Sequence, residues 1–221
     1  PIECGEFGRT GLANSRPNDW AGSWIIPIGG GWSNRHVKHS LWADMNVHAA
    51  LALTIDPERD SSDILGEWIS KNSLPTELQS LLEKSPELIL RLRYLDVWRV
   101  LKNQTWMPSE NWFRDDNFVP GACAKIANTV VEQDRGDLVR SERSLATAMA
   151  RNHLVEAESL PICEHSEFIV ESYRWALQFA EWTEVTWDVL LNQAPLSRDE
   201  CKVLLEQRLR EEPLPPLSVM D

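Results

Sequence analysis

Long apolar runs are missing from this 221-residue chain. None approaches the roughly 18 to 20 residues that a membrane span needs, so no segment reads as a transmembrane helix. Positive charge is scarce: 22 Lys and Arg stand against 34 Asp and Glu, and the net charge of −12 gives a surface that repels phosphate backbones. That balance excludes nucleic acid as a partner. The one basic-looking stretch, Arg91, Arg93, Arg99 and Lys102, lies on an apolar helix pattern with Asp96 among it and reads as solvated helix edges. Cysteine is thin as well. Cys4, Cys123, Cys163 and Cys201 stand singly, without a C-x-x-C pair or zinc-ribbon spacing, so they read as buried free thiols compatible with a reducing compartment, with a disulfide between distant helices as the alternative. The N-terminal residues Pro1 to Gly5 lack the basic and apolar regions of a signal peptide, which fits either loss of an initiator Met or a cut from a longer precursor, and leaves the localisation open.

Glycine is scarce too, except at one end. Seven of the ten glycines fall in residues 1–35, together with two strand-compatible runs, Ile2 to Phe7 and Trp24 to Ile28. That is a strand-and-loop composition. From residue 36 onward the apolar spacing turns helical, and at 43% hydrophobic the composition is that of a soluble globular chain with one ordinary core. The sequence therefore predicts an all-α domain of six or seven helices over residues 36–221, preceded by a short irregular segment.

Helix limits follow from caps and prolines. Ser33 or Asn34 can cap a first helix that Pro57 ends, since proline removes an amide donor and holds Asp56 extended. Asp60, with Asp63 three residues on, resembles a capping box for a helix running to about Asn72. Pro75 and Pro86 each read as first-turn residues of further helices, the second capped by Ser85, with Leu88, Leu92 and Leu95 on one apolar edge and Tyr94, Trp98 and Leu101 on another. An aromatic and acidic loop fills residues 103–120. Helical stretches follow over about 121–159, with a break near Gly136, then 164–193 and 197–211, the last opened by a Ser197 to Glu200 capping box. The tail from Pro213 reads as extended or disordered.

Two of these helices carry a resemblance. Asn46 leads an aromatic-flanked, amphipathic helix to the Asp56-Pro57 corner, and Ile64, Glu67 and Trp68 follow on the next helix. This spacing resembles the start of the helical C-terminal region of glycoside hydrolase family 67, the xylan α-glucuronidases, over about a tenth of the chain. The resemblance implies a non-catalytic helical portion of a carbohydrate-active enzyme. Such enzymes keep their working carboxylates on a (β/α)₈ barrel of roughly 250 residues, which this chain is too short to contain. Residues 1–35 would then be a remnant of the last barrel strand and its loop. Carbohydrate, the rest of a glycoside hydrolase and a second copy in a homodimer are the partners that resemblance implies, with no cofactor. The alternative is a helical protein-interaction domain with no connection to sugars.

Candidate binding residues gather in the loops. Tryptophan stacks its flat face on sugar rings while its N–H takes a polar partner, and the eleven tryptophans divide by location. Trp42, Trp68, Trp98, Trp175, Trp182 and Trp187 fall in helical patterns and read as core; Trp20, Trp24, Trp32, Trp106 and Trp112 lie in loops or short strands, where a ring covers the core or meets a ligand. Glu6 with Arg9 sits at a strand end, the place of sugar-contacting carboxylates, yet general acid work needs a second, opposed carboxylate that one strand cannot supply. Trp32 and Asn34 close the run from Gly29, which reads first as a flexible lead into a helix N-terminus and, as the alternative, as a place where free amides can hold a uronate carboxylate. Trp106, Trp112, Arg114 and Asp115 combine rings, a cation and a carboxylate, the ingredients of a sugar subsite, a subunit contact or a plain core plug with a local ion pair. His36, His39 and His48 do not converge on one face and make no metal site. No catalytic set is visible. Asn46 is expected either to hold the glycine-rich run between Gly29 and Trp32 through its amide, with Trp42 packed beneath, or to face solvent without a partner.

Overall fold

The structure is a computed structural model and describes residues 41–93, 95 and 120–213. Among the described residues it is all α: helices α1 (Leu41–Ile55), α2 (Ser61–Lys71), α3 (Leu78–Arg93), α4 (Pro120–Glu132), α5 (Gly136–Glu158), α6 (Ser166–Gln193) and α7 (Arg198–Glu211), with no strand. The all-α expectation is met. The strand-and-loop expectation for residues 1–35, the loop over 103–120 and the tail beyond Pro213 lie outside the described residues. The chain divides into two compact units, with the boundary between Gln79 and Ser80 in the first turn of α3.

In the first unit, α1 stops where proline and aspartate say it should. The Asp56 amide donates to Ala52 O at 3.0 Å, and Asp56 Oδ1 then accepts from the Glu58 amide at 3.1 Å, turning the chain out of the helix. Four residues on, Asp60 caps α2 by accepting from the amides of Ser62 and Asp63. The far end of α2 closes on Ser73 in the left-handed region, φ 53°, with Leu74 N donating to Ile69 O at 3.0 Å and Ser73 N to Ser70 O at 3.2 Å. This is a Schellman closure without glycine. Its hydrophobic partners Ile69 and Leu74 are both buried.

Helix α2 is amphipathic, burying Ile64, Trp68 and Ile69. Helix α1 corrects the sequence reading. Its apolar residues run all round the cylinder, so Ala52 is buried while Leu51 is 51% and Ile55 85% exposed. The two helices are tied by Trp68 Nε1, which donates to Asp44 Oδ2 at 2.8 Å. Gln79 then reaches back to Ser62, donating to its carbonyl at 3.0 Å and its hydroxyl at 2.8 Å, while Gly66 leaves room for that side chain.

Prolines 75 and 86 do not start separate helices. Pro75 belongs to a turn, with Leu78 N donating to Pro75 O at 3.1 Å, and α3 then runs unbroken through Pro86. Proline in a helix interior deprives the carbonyl four residues back of its donor and costs about 3 kcal/mol. Burial of Leu81, Leu82, Leu88 and Leu92 along α3 holds the helix together across it. Ser85 is no cap either: its hydroxyl donates to Leu81 O at 2.9 Å. The Leu88, Leu92 and Leu95 edge is buried as expected.

In the second unit α5 and α6 form an antiparallel hairpin. The buried residues of α5 step by fours and threes, Val139, Arg143, Ala146, Ala150, His153 and Ala157, and those of α6 match them from Ile169 through Tyr173, Ala176, Ala180 and Thr183 to Trp187 and Leu190. That is a heptad-like seam on each helix, with alanines that allow close approach. Cross-pairs fix the register: Arg140 to Asp188 at 2.7 Å, Thr147 to Glu184 at 2.6 Å and Arg151 to Glu181 at 2.9 Å. The carboxylate of Asp188 raises the Arg140 pKa.

The break expected near Gly136 is present, over residues 133–135. Asp134 takes φ 53°, Arg135 N donates to Val130 O at 2.8 Å, and Gly136 is already the first residue of α5. Helix α4 packs its small face, Cys123, Ala124, Ile126 and Ala127, into the core with Trp182, Trp187, Leu190 and Cys201. Asn128 anchors the α6–α7 connection through both ends of its amide, accepting from Leu196 N at 2.7 Å and donating to Leu196 O at 2.8 Å. The Ser197 and Glu200 capping box is present in both halves, and the Ser197 amide holds Glu200 below the usual carboxylate range.

Candidate functional site

Every residue that the sequence singled out for sugar contact, Glu6, Arg9, Trp32, Asn34, Trp106, Trp112, Arg114 and Asp115, lies outside the described residues, as do His36 and His39. Of the six helical tryptophans, Trp68, Trp182 and Trp187 are buried; Trp42 and Trp175 are half-buried, the latter stacked on Phe179 at 5.1 Å; Trp98 is outside the described residues. Asn46 is exposed, which agrees with the solvent-facing one of its two readings, and the run from Gly29 to Trp32 lies outside the described residues. Cys123 and Cys201 are buried free thiols as expected, whereas Cys163 is only half-buried because it sits in the α5–α6 turn. Among the described residues no group of three or more His, Cys, Asp or Glu is placed to hold a metal ion.

The second unit does bring polar groups together in its interior. Tyr173 OH and Ser85 Oγ lie 2.8 Å apart, His153 sits beside the Tyr173 ring at 6.0 Å between centroids, and His153 Nδ1 meets Met149 O at 2.8 Å. A serine, a tyrosine and a histidine invite comparison with a nucleophile and its base, but the bonding assigns them otherwise. Ser85 is spent on Leu81 O, and burial pushes the Tyr173 phenol up to about 12, so it stays neutral. The cluster fastens α3, α5 and α6. Arg143 serves the same purpose: its guanidinium, 1% exposed, donates to Arg91 O at 2.6 Å and Leu92 O at 3.4 Å. Burial lowers it to about 10, still charged at neutral pH, and that charge meets the negative end of the α3 dipole.

A different arrangement faces outward on α5. Leu138, Ser141, Leu145, Ala148, Asn152 and Val155 follow one another at three and four residues, and all six are exposed. This is a second heptad stripe on the same helix, parallel to the buried one. Leu138 is 44%, Leu145 45% and Val155 61% exposed. Beside it on α5 run Asp137, Glu142, Glu156 and Glu158 with one cation, Arg151; Asp137 pairs with Arg140, Glu156 with Lys84, Glu158 with Arg174 and Arg151 with Glu181. The stripe was overlooked in the sequence because the stronger apolar residues of α5 set the period; counting two interleaved heptads would have found it.

Among the described residues the fold is all-α and bundle-like, and the buried Arg143 and Tyr173 and the half-buried Ser85 bond between helices. No protein-family model, no curated protein and no solved structure matches the chain. The association with glycoside hydrolases and carbohydrate metabolism is corrected accordingly, and the barrel-supporting and dimer readings that rested on it lose their support. The physical reason lies in the residues that carried the resemblance. Pro57 ends a helix, Ile64 and Trp68 fill the core between helices, and Asn46 faces solvent, so the shared spacing is that of any helical corner.

Proposed function

We propose that this chain is a helical protein-interaction domain unconnected with sugars, and that α5 is the surface it offers. The observation that supports this reading is the exposed stripe from Leu138 to Val155. Apolar side chains at heptad spacing on an exposed helix lose free energy to water that a second helix would recover. Its acidic margins select the partner: an amphipathic helix with leucines on its seam and lysine or arginine on its flanks, since like charges along those flanks would oppose docking.

The test is direct binding of the full chain to two synthetic peptides of about three heptads, identical on the seam and carrying either lysine or glutamate on the flanks. The basic peptide is expected to bind, more weakly as salt rises, and Leu145→Glu to weaken it tenfold or more, about 1.4 kcal/mol. Equal affinity for the two peptides, or an unchanged affinity in the variant, removes α5 as the interaction surface.

A further inference from the structure

Asn152 lies on the exposed stripe of α5 between Ala148 and Val155, and its amide makes no hydrogen bond among the described residues. The other asparagines described in this unit are spent: Asn128 bonds Leu196 through both ends of its amide, and Asn192 accepts from Arg140 and donates to Asp188. Ser141, also on the stripe, is unbonded too, whereas Ser85, Thr147, Ser172 and Thr186 each donate to the carbonyl four residues back. Free hydrogen-bonding groups thus stand on the same face as the exposed Leu138, Leu145 and Val155. Asparagine is a weak helix former, so inside α5 it lowers helix stability and gains no bond in return. We propose that Asn152 selects the partner: the helix that docks on α5 carries a carboxamide, asparagine or glutamine, at the seam position facing Asn152. This rests on the interaction reading above and narrows it from any basic amphipathic helix to one whose leucine seam is broken once by a polar residue.

The selection follows from desolvation. Docking takes the Asn152 carboxamide out of water, and its N–H donors and carbonyl oxygen must then be met from the partner. A facing leucine meets none of them; a facing carboxamide meets them reciprocally, an N–H of each donating to the carbonyl oxygen of the other. In paired helices a lone asparagine on an apolar seam fixes register and partner in this way. Ser141 makes no such demand, because its hydroxyl can turn back to the Asp137 carbonyl when the facing group is apolar. Once a partner is seated, Leu145 and Val155, which bracket Asn152 along the stripe, close its layer from water. With Leu138, Leu145 and Asn152 as a positions and Ser141, Ala148 and Val155 as d positions, the facing residue is the third a of a parallel helix or the first d of an antiparallel one.

The full chain and its Asn152→Leu variant are titrated with lysine-flanked peptides of about three heptads. One peptide has leucine throughout its seam, one has asparagine at the third a position and one has asparagine at the first d position. The wild-type chain is expected to bind one asparagine peptide about tenfold or more tightly than the leucine peptide, about 1.4 kcal/mol, and Asn152→Leu to reverse that order. The asparagine peptide preferred by the wild type then gives the orientation of the docked helix. Asn152 is exposed, so the variant is expected to unfold at the temperature of the wild type, and the three peptides decide on the wild type alone if it does not. Binding of no peptide removes the interaction reading and this inference with it. Binding of all three with the same preference in both chains, or a wild-type preference for the leucine peptide, leaves the interaction reading standing and overturns the role of Asn152.

Discussion

The α1–α2 corner of the first unit and the α5–α6 hairpin of the second are both helix pairs joined by a short connection, and they are held in opposite ways. The corner relies on its ends: a proline stop, an aspartate cap and a Schellman closure, with Trp68 and Asp44 bonded across it. The hairpin relies on its length: matching seams of buried residues and a ladder of polar pairs from Arg140 to Glu158 and Arg174. Terminal devices fix where a helix stops. Only a repeated seam fixes which face of it is buried, and α1, which has no such seam, leaves Ile55 in water.

The largest expected effect probes that difference through one tryptophan on each side. Trp187 is 1% exposed and Trp68 0%. Trp187→Ala should cost about 3 to 5 kcal/mol in urea unfolding, because the seam around it cannot collapse into the space. Trp68→Ala should cost as much if the corner is packed as firmly; a loss of less than about 1 kcal/mol would show that caps alone hold it.

Next in size is an alkaline effect confined to the hairpin. The Tyr173 phenol is raised above its unfolded value of 10 to about 12, so the stability it contributes is complete below pH 10 and is lost as pH rises through 12. The loss amounts to about 2 to 3 kcal/mol. Arg143, lowered by burial to about 10, acts with the opposite sign over the same range, returning stability as it deprotonates above that pH. Comparing wild type with Tyr173→Phe from pH 9 to 12 cancels the arginine and isolates the phenol. The two curves should converge as pH rises, and parallel curves would refute the assignment.

These contrasts explain what the sequence made legible. Ends were readable because each is a local event: Asp60, Pro57 and the Ser197 box act within four residues of themselves. Pro86 misled because its helical neighbours are fixed by leucines buried against other helices, a tertiary contribution that outweighs a local cost. Gly136 marked the break correctly, although Asp134 and not the glycine takes the left-handed conformation there. The site was less legible still. Trp68, Trp182 and Trp187 read as core from their helical spacing and are buried, while the loop tryptophans offered as ligand contacts lie outside the described residues; and the outward stripe of α5 carries only two leucines and a valine, too little to stand out beside the buried one.

Caps offer the next contrast. Ser197→Ala removes the acceptor for the Glu200 amide and should cost about 1 kcal/mol by thermal or urea unfolding. The two left-handed closures should respond the other way. Ser73→Gly in the corner and Asp134→Gly before the hairpin each relieve a side chain held at φ 53°, and each is expected to stabilise by about 0.5 to 1 kcal/mol. A loss at either position would mean that the side chain there contributes more than its backbone strain costs.

Asn46 gives the smallest expected effect and the sharpest test of the corner. An asparagine inside a helix is a weak helix former, and buried without a partner it would cost more. Here it lies on α1 and is exposed, so its amide is hydrated in both the folded and the unfolded chain. Replacing it with alanine then trades a small gain in helix propensity against the loss of contacts that water already supplies, and Asn46→Ala should change stability by less than about 0.5 kcal/mol. A loss of about 1 to 3 kcal/mol is what breaking a buried hydrogen bond produces. That outcome would mean the corner is held by a side-chain clasp as well as by its caps, and would bring it closer to the hairpin than its exposed Leu51 and Ile55 indicate.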